Sequence, residues 1–290
     1  MTRRRLRGGW VLGLALCSGL GGPAAAAPAG KRPPPAPAAP KVKVKVKVPG
    51  AEEIAGYATA LAGTDVEAAA KAADALGALD LPAAHDALLD GLAMGLPATV
   101  AAPALTALAV HPAPPDVAAL IRYVGHHNLN VRAAALTALA TYADPAAHGA
   151  VINGLHDAAG LVRGAAAAAA AKGRIRSSIE PLFQLLGRGE EPAARALAAL
   201  ADPDLVAKIA DQLGKVPDAA LAQCLGYILK RADFGPDPAR VEVVRAIAKI
   251  QDPAAIAALT DYIDVTPKNP PRPSRGEAER LVEARLGGGK

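Results

Sequence analysis

Aromatic residues and cysteine are scarce in this sequence of 290 residues. Phe, Trp and Tyr together make up 3% of the chain, and the two cysteines are Cys17 and Cys224. If Cys17 leaves with a cleaved N-terminal segment, one cysteine remains and no intramolecular disulfide can form. Protein interfaces favour Trp, Tyr and Arg as anchors, so few aromatic anchors are available. We expect the fold to be held together by the packing of helices with small side chains.

The motifs of common enzyme classes are also lacking. The sequence contains no Gly-x-Ser-x-Gly, no P-loop, no His-Glu-x-x-His and no Cys-x-x-Cys, which are the patterns of several nucleophilic, phosphate-binding and zinc sites. His148 and His156 are spaced to share a helix face, but they match no zinc-ligand spacing. Cys224 has apolar neighbours at helical spacing, which is typical of a buried thiol. The sequence predicts no catalytic residue, no metal and no cofactor.

Charge is distributed unevenly along the chain. Residues 1–50 contain ten basic and no acidic residues, and residues 265–290 contain six basic and three acidic ones. Residues 51–264 contain sixteen basic and twenty-four acidic residues, a net charge of −8. A domain that reads nucleic acid normally has a basic surface, so we expect residues 51–264 not to bind nucleic acid. Their acidity favours a basic or extended partner.

One local pattern recurs between residues 128 and 200. Arg132, Arg163 and Arg195 each precede a run of alanine and leucine, and they are 31 and 32 residues apart. A second helical segment lies between each pair of arginines, as in the stretch that begins with Asp144-Pro145. A period of this length is typical of stacked repeats, in which one helix pair cannot bury its own apolar face. The pattern predicts an all-α fold, a right-handed α-solenoid of stacked helix pairs.

These motifs resemble those of the HEAT-repeat family, including the bacterial short repeats related to phycobilisome-lyase HEAT-like repeats. In that family the second helix of a repeat opens with Asp-x-x-Val-Arg, and the residues that match are Val131-Arg132, Val162-Arg163, Arg195 and Val244-Arg245. The family's Asp-Pro, which opens first helices, is matched at Asp144-Pro145, Asp202-Pro203 and Asp252-Pro253. The resemblance covers residues 115–264 well and 51–114 loosely.

The resemblance implies a role for the repeated arginines. Arg132, Arg163, Arg195 and Arg245 are expected to join successive repeats by bonding a neighbouring acidic or carbonyl group, because a guanidinium is a planar fork with five donors. The alternative is that Arg132, Arg163 and Arg195 line a groove and hold an acidic peptide.

The N-terminal 50 residues show two further patterns. Residues 1–27 have basic residues, an apolar stretch and small residues in the order of an export signal, and lipidation at Cys17 is disfavoured because Leu16 precedes it. Residues 28–50 are a basic, proline-rich arm that ends in alternating lysine and valine. We expect a disordered spacer. The alternative is a basic ribbon in which four lysines contact anionic lipid, cell-wall polymer or nucleic acid: Lys41, Lys43, Lys45 and Lys47.

The remaining boundaries follow from helical spacing and proline. Residues 51–264 form the predicted solenoid, and residues 265–290 form a proline-rich linker and a short helix that opens with a capping box at Ser274 and Glu277. Within the solenoid, residues 241–250 look like a second helix that directly follows another one. The pattern therefore predicts a break in the alternation of helices there.

Three possibilities for the function remain open. The first is a non-enzymatic exported scaffold that binds a protein or peptide on the concave face lined by second helices, with Tyr123, Tyr142 and Tyr227 as candidate anchors. The second, which the family resemblance allows, is a HEAT-like lyase or modifying enzyme, which would need a deep pocket with convergent polar groups. A third possibility is an envelope tether that acts through the basic arm. We expect location in the periplasm or the cell envelope.

Overall fold

The structure, a computed structural model, describes residues 50–287. Over this part of the chain the secondary structure is helical, and no β-strand is present. The α-helices are α1 Ala51–Leu61, α2 Val66–Gly77, α3 Pro82–Met94, α4 Ala98–Leu108, α5 Asp116–Val124, α6 Leu129–Leu139, α7 Pro145–Gly154, α8 Gly160–Lys172, α9 Ile179–Gly187, α10 Glu191–Leu200, α11 Pro203–Ala210, α12 Asp218–Lys230, α13 Asp237–Ala248, α14 Pro253–Val265 and α15 Pro273–Gly287, and a 3₁₀ turn at Arg176–Ser178 precedes α9.

Short polar side chains define where several of these helices begin. Backbone N–H groups in the first turn of a helix have no partner within the helix, and a side-chain oxygen at the preceding position can accept from them. The side chain before the helix accepts such a bond at Asp65, Asn128, Asp144, Asp202 and Asp252. Proline follows three of these aspartates, where its missing N–H costs nothing and its fixed φ favours the helix.

The helices pack in two layers. Each odd-numbered helix from α1 to α13 contacts the even-numbered helix that follows it, which gives seven helix pairs. The seven even-numbered helices, α2 to α14, contact one another in succession and form a continuous second-helix layer. The odd-numbered helices form the first-helix layer on the other side. The prediction of an all-α solenoid of stacked helix pairs is confirmed.

The second-helix layer keeps a register of 31 residues over its whole length. A core column runs through it, at one position in each second helix, and none of its side chains is more than 1% exposed: Ala69, Val100, Val131, Val162, Ala193, Cys224 and Ala255. Because every member packs between neighbouring repeats, no single pair buries this surface alone. Cys224 therefore occupies a position that holds valine or alanine in the other repeats.

The predicted break in the alternation of helices is wrong. The helix predicted at residues 241–250 begins earlier, at Asp237, and it contacts α11 and α15 in the first-helix layer. The proline at position 238, in the first turn, explains the earlier start, because proline favours that place. Helix α14 follows as the second helix of the last pair, so Asp252-Pro253 opens a second helix rather than a first one.

Helix α15 packs against α13 and α14 at the C-terminal end of the array. The sequence pattern places Ser274 in a capping box, whereas Ser274 lies within α15 and is fully buried. Its hydroxyl donates to Asp237 Oδ1 at 2.5 Å and lies 2.7 Å from the Tyr262 hydroxyl. Helix α15 is therefore attached to the last helix pair through a buried polar contact.

The predicted signal at residues 1–27, the arm at residues 28–50 and the lysines from Lys41 to Lys47 lie outside the described residues, apart from residue 50. Between residues 50 and 287, none of the helices combines the length and the apolar character that crossing a bilayer requires.

Candidate functional site

Arg132, at the start of α6, joins its own repeat to the next one. Its Nε and Nη2 donate to the two oxygens of Asp157 at 2.9 and 3.0 Å, and Asp157 lies just before α8. Its Nη1 donates to the carbonyl oxygens of His126 and His127 at 2.9 and 3.2 Å. The hydrogen bonds from Arg132 hold the pKa of Asp157 below its ordinary value.

Arg163, 31 residues further on, repeats this arrangement. Its Nε lies 2.9 Å from Glu190 Oε1, just before α10, and its Nη1 donates to the carbonyl oxygens of Asp157 and Ala158 at 2.9 and 2.8 Å. Because the donors of Arg132 and Arg163 point to groups of adjacent repeats, these two side chains link successive repeats. They do not form a groove open to a ligand.

Arg195 and Arg245 do not reproduce the link that Arg132 and Arg163 make between the starts of successive second helices. Arg195 follows Arg163 by 32 residues rather than 31, and one extra residue turns a side chain by about 100° around the helix. Its Nε contacts Glu191 in the same helix, and its side chain is 66% exposed. Arg245 lies in α13, in the first-helix layer, where its Nη1 pairs with Glu242 of the same helix at 2.9 Å and its Nε lies 3.7 Å from Glu277 of α15. A shared Val-Arg motif does not reveal in which layer its helix lies.

The three candidate tyrosines occupy different environments. Tyr142 is buried, and its hydroxyl donates to Asp116 Oδ2 at 2.6 Å; burial and this hydrogen bond raise the pKa of Tyr142. Tyr123 is partly buried and donates to the Leu92 carbonyl oxygen at 2.6 Å. Tyr227, in α12, is also partly buried, and its hydroxyl is bonded to Glu191 of α10. The structure does not bring the three together.

The second-helix layer presents an exposed column of side chains at the same 31-residue register. The column begins with small residues and ends with charged ones: Thr106, Thr137, Ala168, Ala199, Lys230 and Asp261. The hydroxyls of Thr106 and Thr137 donate to backbone carbonyls of their own helices at 3.0 and 2.9 Å. From α4 to α10 this face therefore offers a smooth surface that an extended chain can approach closely. We call it the second-helix face.

At one end of the small residues, the second-helix face opens into a cleft of about 500 Å³ between the ends of α8, α10 and α12. We call it the basic cleft. Its charged and aromatic lining is Lys172, Arg174, Arg195, Tyr227, Arg231 and Asp233. The guanidinium carbon of Arg195 lies 4.9 Å from the centroid of the Tyr227 ring, within the range of a cation–π contact. The sequence does not predict this cleft, because its members are spread from residue 172 to residue 233.

Hydrogen bonds fix the positions of several side chains in and beside the basic cleft. The Tyr227 hydroxyl donates to Glu191 Oε1 at 2.6 Å, and this bond, with the contact from Arg195, lowers the pKa of Glu191. Arg231 binds both oxygens of Asp233 at 3.0 and 2.8 Å, and its Nη1 donates to the carbonyl oxygens of Ala198 and Ala201. Arg231 is therefore fixed by its own chain.

A second cleft, of about 530 Å³, lies beside His85 near the N-terminal end of the array. His85 Nε2 contacts Asp116 Oδ1, and Asp116 also accepts from the Ala113 N–H at 2.8 Å and from Tyr142. Asp116 is fully buried and both of its oxygens are engaged. Its contacts bring together the helix pairs that contain α3 and α5–α6, so we assign it a structural role.

Other reactive side chains form no site in the described part of the chain. Cys224 is fully buried, and burial raises the pKa of its thiol to about 12. No cluster of three or more His, Cys, Asp or Glu side chains with metal-site geometry occurs among residues 50–287. His148 and His156 take no part in such a cluster.

Together, the stacked helix pairs define a class of protein, an all-α solenoid. Solved structures similar to this chain include a chain of the CpcE–CpcF complex of phycocyanin lyase from Nostoc sp. PCC7120, with 19% identity over 86% of this chain and 99% of that one and a TM-score of 0.45. They also include Kap121p, with 16% identity over 80% of this chain and 29% of that one and a TM-score of 0.46. Human deoxyhypusine hydroxylase has 16% identity over 81% and 96% of the two chains and a TM-score of 0.39.

These likenesses carry no argument about activity or partner, because the identities and TM-scores are low. The chain spans less than a third of Kap121p. No protein-family model matches the sequence. No curated protein matches it either.

Proposed function

We propose that the protein is a non-enzymatic, exported scaffold that binds a protein or peptide partner on its second-helix face. The observation that supports this most is the exposed column of Thr106, Thr137, Ala168 and Ala199, which continues at a constant register over four repeats. Small side chains let another backbone approach closely, and repeat arrays use such extended faces for binding. The inter-repeat links of Arg132 and Arg163 keep this surface in one geometry.

Export is the second part of the proposal. It is supported by the order of basic, apolar and small residues in positions 1–27. Fractionation of the host should recover the mature chain in the periplasm or cell envelope, and removal of residues 1–27 should retain it in the cytoplasm. Unchanged partitioning after deletion of residues 31–48 would reject the alternative of a tether that acts through the basic arm.

Site-specific photo-crosslinking tests the binding face in the full chain. A photoreactive amino acid is placed at Thr137 or Ala168, on the second-helix face, and in matched controls at Asn153 or Gln184, which are exposed on α7 and α9 of the first-helix layer. We expect a discrete crosslinked partner from the second-helix positions only. Equal crosslinking from both layers, or crosslinking from the first-helix layer alone, would contradict the proposal.

A further inference from the structure

Cationic side chains converge on the basic cleft although the surrounding chain is acidic. Residues 51–264 have a net charge of −8, whereas the cleft lining contains four cations and one acidic residue. We propose that the basic cleft binds an extended peptide segment that carries Asp or Glu side chains. This inference rests on the proposed function, since it names the chemistry of the partner that the second-helix face receives.

Within residues 50–287, two of the four cations lack a carboxylate partner, and a third uses only one nitrogen of its guanidinium for such a partner. Lys172 and Arg174 have no carboxylate oxygen within 4.0 Å in the part of the chain that the structure describes. Arg195 contacts Glu191 through Nε, and no hydrogen bond from its Nη1 or Nη2 is found within residues 50–287. The outer edge of a guanidinium, with two parallel N–H groups, suits a carboxylate. Arg231 differs because Asp233 already holds it.

The backbone of Arg174 gives independent support. Its φ of 50° is left-handed, and the other left-handed residues in the described chain are glycines: Gly95, Gly189, Gly214 and Gly235. The turn closes α8, because the Ile175 N–H donates to the Ala170 carbonyl oxygen at 2.9 Å. Glycine is the favoured residue at such a helix end, and an arginine there costs stability. A glycine at position 174 would avoid this strain but would lack the charged side chain. Backbone strain of this kind clusters at functional sites.

The charge of the N-terminal repeats favours a short acidic segment over a long polyanion as the ligand of the basic cleft. Residues 51–114 contain one basic and eight acidic residues. A nucleic acid that continued along the array would meet charges of its own sign, whereas an acidic peptide with neutral flanks would not. Neighbouring helices pack about 10 Å apart, and an extended chain advances about 3.3 Å per residue. Acidic side chains at every third residue would therefore meet successive repeats.

Fluorescence anisotropy on the full-length protein tests this inference. The probe is a short labelled peptide with glutamate at every third residue, and its counterparts carry glutamine or lysine at those positions. We expect the glutamate peptide to bind most tightly and to weaken as salt is raised. The double variant Lys172→Glu with Arg174→Glu should raise Kd roughly tenfold. The matched control, Arg188→Glu with Lys208→Glu, changes two exposed residues outside the cleft and should leave Kd unchanged.

Arg174→Gly separates binding from stability. We expect this variant to keep or raise the melting temperature, because glycine relieves the left-handed strain, and yet to bind the glutamate peptide several-fold more weakly. Equal Kd values for the variant and the wild type would overturn the proposal.

The other outcomes are also distinct. Tight binding of the glutamine or lysine peptide that is insensitive to the double variant would overturn the acidic preference but leave the proposed scaffold function standing. Tighter binding of a single-stranded oligonucleotide than of any peptide would overturn the inference of a peptide ligand in favour of nucleic acid. Crosslinking of a partner at Ala168 without binding of any of these peptides would overturn the inference alone.

Discussion

Arg132 and Asp157 form a bidentate pair across a separation of 25 residues, with N–O distances of 2.9 and 3.0 Å. Both side chains are less than 20% exposed. Because Arg132 also binds two carbonyl oxygens of its own repeat, one guanidinium connects the starts of two successive second helices. Arg163 makes the corresponding connection one repeat later. The stacking of repeats is thus fixed by directional bonds as well as by apolar packing.

Replacing Arg132 by lysine should destabilise the array, since an ammonium cannot reproduce the fork. We expect the free energy of unfolding to fall by about 1–2 kcal/mol, measured by urea denaturation. Arg195→Lys is the matched control and should change stability by less than about 0.5 kcal/mol, because Arg195 is exposed, its carboxylate partner lies in its own helix, and a lysine can also lie over the Tyr227 ring. Equal losses for the two variants would refute the distinction between the two arginines.

Stability should depend on pH through Asp157. Its pKa is lowered in the folded state, mainly by the hydrogen bond from Arg132. The carboxylate therefore stabilises the fold above the ordinary aspartate pKa of about 3.9, and the contribution is lost as the pH falls through the lowered folded pKa. The difference in unfolding free energy between wild type and Asp157→Asn should be largest near neutral pH and shrink in acid. A difference that stays constant with pH would contradict this.

Close packing between second helices requires glycine at position 77. A Cβ there would lie 2.5 Å from the Ala107 Cβ in α4, closer than any real contact. Gly77→Ala should cost about 1–3 kcal/mol through overpacking. Gly56→Ala, in exposed α1 with no atom within 4 Å of the added Cβ, should instead stabilise the protein by up to about 1 kcal/mol. Thermal unfolding of both variants measures the contrast, and a stabilising Gly77→Ala would show that α2 and α4 are farther apart.

The C-terminal helix α15 should depend on Ser274 for its attachment. Ser274→Ala removes a bond to Asp237 and leaves the buried Tyr262 hydroxyl with one partner fewer. We expect a loss of about 1–2 kcal/mol and faster amide hydrogen exchange in α15. Arg280→Ala, at an exposed position of the same helix, should leave exchange unchanged. Unchanged exchange in the Ser274 variant would indicate that the other contacts of α15, among them those of Arg275 and Arg285 with backbone carbonyl oxygens, are sufficient to hold it.

Much of the fold follows from local signals in the sequence. The Asp144 side chain accepts from two N–H groups of α7 at 2.7 and 3.1 Å, so Asp-Pro marks a true helix start. Such a signal does not show which layer a helix joins, because that depends on contacts with other repeats. For this reason the sequence wrongly predicts that α13, which contains Arg245, is a second helix, whereas it correctly predicts that Asp144-Pro145 opens a first helix.

The basic cleft could not be predicted in the same way. A net charge of −8 for residues 51–264 conceals a local cluster whose members come from α8, α10, α12 and the segments that follow α8 and α12. An alignment of the chain with itself at 31 residues would have placed Ala168, Ala199 and Lys230 in one exposed column. It would also have shown that Arg195 lies one position away from the column of Arg132 and Arg163. The exact period therefore carries more information than the motifs do.

Amide hydrogen exchange on the full chain, free and bound to the crosslinked partner, tests the central claim most directly. A binding surface formed by stacked second helices predicts new protection in α6, α8, α10 and α12, at positions 31 residues apart, with exchange in α7, α9 and α11 unchanged. Protection confined to the first-helix layer, or to residues 1–49, would contradict it.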